Sequence, residues 1–139
     1  MVVMSDTDWT VHLQNLVQYC RSQNVDVAFK RGCNDSYDVD KQYIEINKRR
    51  TTRNQVYILL HEIGHHKILK DKTLSKKFAL LIKPKAPKNL SKSILSLEEE
   101  VIAWHIGEGI AQECNIPLDS TYQVLKSKCL KTYVVSVVS

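Results

Sequence analysis

Nowhere in this chain does an apolar run approach the length needed to cross a bilayer, which excludes a membrane-spanning helix. The start, Met1-Val-Val-Met-Ser-Asp-Thr-Asp-Trp9, lacks a basic n-region and a long apolar h-region, so no secretory leader is expected. Cysteines are few and scattered. Cys20, Cys33, Cys114 and Cys129 form no C-x-x-C pair, which argues against a disulfide frame or a cysteine zinc site. They read as reduced thiols, and a cytoplasmic location is expected. Internal repeats and low-complexity segments are also missing. Between Lys67 and Lys92 acids are almost absent, with nine lysines standing against Asp71 alone. Aromatics are not interleaved with those lysines, so a solvated face is the simpler reading. Contact with nucleic acid or an acidic protein surface is the alternative.

The composition that remains, 25% charged and 43% hydrophobic over 139 residues, suits one globular domain spanning 1–139 with its own core. Residues 8–22 carry Val11, Leu13, Leu16, Val17 and Cys20 at helical spacing, with Thr7 or Asp8 as the cap. The period then changes. Val25, Val27 and Phe29 alternate with polar or small neighbours up to Gly32, as a half-buried strand does. A second extended stretch lies around Tyr43-Ile44-Glu45-Ile46, and Tyr37-Asp38-Val39 is either a short strand or a loop. The expected class is therefore α+β, with an N-terminal helix and a small antiparallel sheet of two or three strands.

Thr51-Thr52 offers an N-cap for a helix running to about Lys70. Leu74, Phe78, Leu81 and Ile82 suggest a short helix over 73–82, and Pro84 and Pro87 make 83–93 a lysine-rich connector. A helix is expected from Ser96, with acids in its first turn, stopping at Asn115-Ile116-Pro117. Another follows from about Ser120 to Cys129, with Tyr122, Val124 or Leu125, and Cys129 facing inward. The apolar tail from Tyr133 is β-prone and reads as an edge strand or a docking tail, able to pair with another chain.

Chemistry concentrates in the helix from Thr51. His61, Glu62 and His65 spell H-E-x-x-H, and the four-residue spacing stacks both imidazoles on one helix face, where they can share an ion. Glu62 lies about 100° further round, placed to hold a water rather than to ligate. Tyr57, Leu60, Gly64 and Ile68 give the helix a face that can enter a core. Buried there, two histidines and an acid need a partner, and a metal supplies one. His66, just past the motif, reads as a surface residue or a support for the ligands.

A catalytic zinc normally takes a third protein ligand. On the helix from Ser96, the stripe Ala103, Ile106, Gly107, Ile110 and Cys114 defines an inward face. Glu100 falls roughly 60° to one side of it, Glu99 roughly 40° to the other, and Glu98 about 140° away, in solvent. Either Glu99 or Glu100 can point at the metal. His105 lies off the stripe.

A small sheet, an H-E-x-G-H helix and a downstream glutamate helix together resemble the minimal gluzincin-type metallopeptidases, above all ImmA/IrrE-like proteins and small phage metallopeptidases. The match rests on His61, Glu62, Gly64, His65 and the segment Glu100-Val-Ile-Ala-Trp104, and covers 25–111 in organisation. The resemblance favours Glu100 over Glu99 as the third ligand. It implies a zincin-like fold, a Zn²⁺ ion on His61, His65 and Glu100, Glu62 as general base, and a protein or peptide substrate. The chain departs from the family in its long lysine-rich connector and in lacking a helix-turn-helix. Residue chemistry alone says metal-assisted hydrolysis; cleavage of peptide bonds comes from the resemblance. The alternative function is a non-catalytic zinc-binding regulatory or interaction module, using the lysine-rich segment 67–92. Oxyanion stabilisation has only weak candidates in His66, His105 and Tyr57.

Overall fold

A computed structural model describes residues 5–82 and 89–138. Most of the connector, with Lys83, Pro84, Lys85, Pro87 and Lys88, lies outside the described residues. The first helix, α1 (Asp6–Ser22), is capped by Ser5, two residues before the nearer expected cap, Thr7. Ser5 accepts from the backbone of Asp8 while the Asp8 carboxylate accepts from the backbone N–H of Ser5, a reciprocal capping box. Three strands follow: β1 (Asp26–Lys30), β2 (Ser36–Asp38) and β3 (Tyr43–Asn47).

The sheet is mixed rather than antiparallel, which corrects the sequence expectation. The strand order is β1-β3-β2, with β1 parallel to β3 and β2 antiparallel to it. β2 and β3 pair as an antiparallel hairpin, whereas β1 and β2 do not touch, because β3 inserts between them. The chain reverses through Gly32, at φ 73, and Gln42, at φ 48, leaving the short β2 on the open edge. Ile44 and Ile46 of the central strand are fully buried. Asp35 ties the loop before β2 to the end of β3, accepting from the Asn47 backbone at 2.8 Å and pairing with Arg50 at 2.7 Å.

The helix carrying the motif, α2 (Thr52–Lys70), forms the centre of the domain. Thr51 caps it, accepting from the Asn54 backbone at 3.2 Å. Every residue from Gln55 to Gly64 is buried, not just one face. Burial all round means that neighbours cover several sides. Those neighbours are α1, the sheet, and a long helix α4 (Leu90–Glu113). Between them come α3 (Lys72–Lys77), capped by Asp71, and a 3₁₀ turn over Ala79–Leu81; together they take the place of one helix over 73–82.

Two corrections concern helix limits. The α4 helix begins at Leu90 rather than Ser96, because Asn89 accepts from the Lys92 backbone at 2.8 Å and starts the ladder early. The last helix, α5 (Ser120–Val138), runs straight through the tail expected as an edge strand or a docking tail. Tyr122 is buried, and Leu125, Cys129 and Leu130 pack partly on the core, whereas Val124 is exposed. That packing continues the helix past the run of valines, since tertiary contacts outweigh their β preference. Cys114, placed on the inward stripe of α4 by spacing, is exposed at the helix end. All four cysteines are free thiols, and among the described residues no helix is long and apolar enough to cross a membrane. Of the described lysines, Lys67 donates to Gln23 at 3.0 Å and Lys77 pairs with Glu98.

Candidate metal centre

The site lies where α2 crosses α4. Gly64 is indispensable to that crossing, because a Cβ there would overlap the Ala103 carbonyl. Gly107 plays the reciprocal part on α4: a Cβ would stand 2.8 Å from the Leu60 carbonyl oxygen. Each helix thus sets a glycine against the other's backbone. Glu100, one turn before Ala103, is thereby brought over His61 and His65.

Three side chains converge. The Glu100 carboxylate reaches His61 Nε2 at 2.9 Å through Oε1 and His65 Nε2 at 2.8 Å through Oε2, and the two Nε2 atoms are 3.1 Å apart. Ligands of a tetrahedral ion at 2.0–2.1 Å stand about 3.3–3.4 Å from one another. The trio therefore needs only a few tenths of an ångström of opening to hold an ion. His61, Glu62 and His65 form one group able to hold a metal, and His65, Glu99 and Glu100 form a second that shares His65. The donor set fits a divalent cation: two imidazoles and carboxylates, mostly buried, with acids in excess.

The surrounding residues fix the ligands. Glu99 does not join the Nε2 atoms but takes the opposite nitrogen of His65, Nδ1, at 2.5 Å. Trp104 lies flat on the His61 imidazole, with centroids 4.3 Å apart and planes 13° from parallel. Glu62 approaches the other side of His61, its carboxylate 3.4 Å from Nδ1, and is itself buried. Glu98 points away and pairs with Lys77, as its place on the helix wheel predicts.

The electrostatics follow from three carboxylates around two imidazoles. Burial works upward on Glu100, but hydrogen bonds and charge from His61 and His65 outweigh it and hold the carboxyl down at about 2. Burial works downward on both rings, yet Glu100 and Glu62 raise His61, and Glu100, Glu99 and Glu62 raise His65 well above its ordinary value. Without a metal, protons would supply the positive charge these acids demand. A bound cation would take their place and leave the imidazoles neutral.

Four expectations from the sequence need correction here. His66 is not on the surface; it is buried and shares a 2.7 Å hydrogen bond between Nδ1 and the Tyr37 hydroxyl. Burial, then Lys70 and Lys67, lowers its pKa, so the neutral ring accepts from Tyr37 and fastens the edge strand β2 to α2. Tyr57 donates to Asp119 at 2.9 Å, in the core and away from the metal ligands. His105 is exposed. None of these three faces the trio. The tail, expected as an edge strand or a docking tail, is helical and brings Tyr133 to the site. Tyr133 lines a cleft of ≈ 1030 Å³ together with His61, Glu62, His65, Glu99 and Glu100. Burial, then the charges of Glu100, Glu99 and Glu62, then a hydrogen bond with Glu100 push its phenol up. The available signal was the four-residue step from Cys129 to Tyr133, which is one turn once the tail is read as helix.

The cleft lining is of mixed character. Ile68, Leu69, Phe78, Leu81 and Ile82 contribute apolar lining, while Asp35, Asp38, Asp40 and Arg50 contribute polar lining. Comparison of the chain with family models, with curated proteins and with solved structures gave no match.

Proposed function

We propose that this domain is a zincin-like, zinc-dependent metallopeptidase that hydrolyses peptide bonds in the cleft above α2. The observation that carries this reading is the convergence of His61 Nε2, His65 Nε2 and the Glu100 carboxylate at 2.8–3.1 Å on one side of an open cleft. Those three residues would hold the ion. When bound, zinc lowers the pKa of water to about 7 and polarises a carbonyl.

The chain's own residues account for the rest. Glu62, buried beside His61, accepts a proton from the attacking water and returns it to the departing amine. Glu99 accepts from His65 Nδ1–H, leaving the Nε2 lone pair free to ligate. Trp104 holds the His61 plane. Phe78 and Leu81 offer apolar lining for a substrate side chain. A purely structural zinc site gives Glu62 no task, so its presence supports the enzyme over an inert zinc module.

The test pairs two variants. Glu62→Gln is expected to retain one zinc per chain by elemental analysis while losing cleavage of a fluorogenic peptide pool. His61→Ala is expected to lose both. Cleavage surviving in Glu62→Gln would remove Glu62 from the chemistry.

A further inference from the structure

Hydrolysis of a carbonyl places negative charge on its oxygen, and a hydrogen-bond donor fixed at that point accelerates the step. We propose that the Tyr133 hydroxyl is that donor. The inference rests on the metallopeptidase reading above and adds a catalytic residue from a different element.

Position is the first argument. Tyr133 lines the cleft from α5, whereas the ligands and Glu62 come from α2 and α4. It lines the same cleft as His61, His65 and Glu100, and the charges of Glu100, Glu99 and Glu62 act on its hydroxyl. Other donors line the cleft, Asn34, Ser36 and Thr132 among them, and some are already engaged. Arg50 is held by Asp35 at 2.7 Å, and the Tyr37 hydroxyl is used by His66 at 2.7 Å. Cys129, one turn before Tyr133 on the same helix, offers only a thiol. A phenol at neutral pH is an uncharged donor, so it can donate to a substrate oxygen without a change of protonation.

The buried side of α5 holds the residue there. Tyr122 packs against Tyr57 and Trp104, with ring centroids 5.3 and 5.8 Å away, and Trp104 in turn stacks on His61. One stack of rings therefore links the base of α5 to a metal ligand. Replacing Tyr133 by Phe removes a single oxygen and leaves that stack intact.

Loading the full-length protein with Co²⁺ gives a visible spectrum that reports both ion and ligands, and acetohydroxamate is a small anionic probe with a carbonyl oxygen. Wild type and Tyr133→Phe are expected to take up one Co²⁺ with equal affinity. The variant should bind acetohydroxamate about 10–100-fold more weakly, the cost of losing a donor to a charged oxygen. On the fluorogenic peptide pool its kcat should fall about 10²–10³-fold with KM little changed. Equal acetohydroxamate affinity would overturn the proposal. So would a tenfold loss of Co²⁺ affinity in Tyr133→Phe, which would make Tyr133 a metal ligand or a support for Glu100. Wild type that takes up no Co²⁺, or takes it up no better than His61→Ala, would overturn the metal reading itself before Tyr133 is consulted.

Discussion

His65 uses both ring nitrogens, and the division of labour decides what its neighbours do. Glu99 stands on Nδ1 at 2.5 Å and Glu100 on Nε2 at 2.8 Å, so an ion at Nε2 would leave the remaining ring proton on Nδ1. On the proposed reading Glu99 would be a support and Glu100 a ligand. Glu99→Ala should weaken metal binding about 10–100-fold by competition with a chromophoric chelator, while Glu100→Ala should abolish stoichiometric uptake. Equal losses in the two variants would mean that both carboxylates ligate. The histidine pair and Glu62 were legible in the sequence, since four-residue spacing on a helix leaves little freedom. Helical geometry alone left the choice between the two glutamates open, and only the family resemblance favoured Glu100. On the wheel they flank the inward stripe almost symmetrically, and their difference depends on how α4 is rotated against α2, a tertiary quantity. Tyr133 was missed for a plainer reason: Val134, Val135, Val137 and Val138 gave its segment the look of a strand.

Among the elements, the crossing of α2 and α4 governs the rest. Its separation is set at Gly64, whose missing side chain admits the Ala103 backbone. A methyl there meets main chain, not a movable side chain, so the helices must part. Gly64→Ala is expected to destabilise by about 1–3 kcal/mol in urea unfolding and to lower metal affinity, because Glu100 moves away from both imidazoles. Gly107→Ala, with its contact at 2.8 Å, should cost less on both measures. Retention of full metal affinity in Gly64→Ala would show that this contact does not place Glu100. The sequence carried α1, the motif helix and two of the strands through periodicity and caps. It misjudged the sheet's pairing, because which strand lies in the middle depends on what covers α2. The fully buried Ile44 and Ile46 place β3 there.

At the scale of the whole molecule, α5 is held to the rest by acid groups, and this makes the closed arrangement sensitive to pH. Glu108 on α4 accepts from the Tyr122 hydroxyl and from Lys126 at 2.7 Å. Burial works upward on it, but those two partners prevail and its carboxyl lies below the ordinary value. Asp119 is similar: burial raises it, while the Tyr122 backbone, the Tyr57 hydroxyl and Arg53 together hold it down. Both groups have a folded pKa below the unfolded one. Their contribution is fully present above the unfolded carboxyl pKa of about 4 and is lost as pH falls through the depressed folded values. The unfolded chain binds more protons across that window, so stability must drop with acid. Glu100 titrates lower, toward its value of about 2, and adds the same slope to any variant that keeps it. A comparison of metal-free wild type with the double variant Glu108→Gln, Asp119→Asn therefore isolates the α5 contacts. Urea unfolding between pH 7 and pH 3 should show the variant less stable at neutral pH and its stability falling less steeply below pH 5. Parallel curves would mean that α5 is held by its apolar contacts alone, through Tyr122, Leu125 and Leu130. In that case the placement of Tyr133 over the metal-binding trio would not depend on these carboxylates.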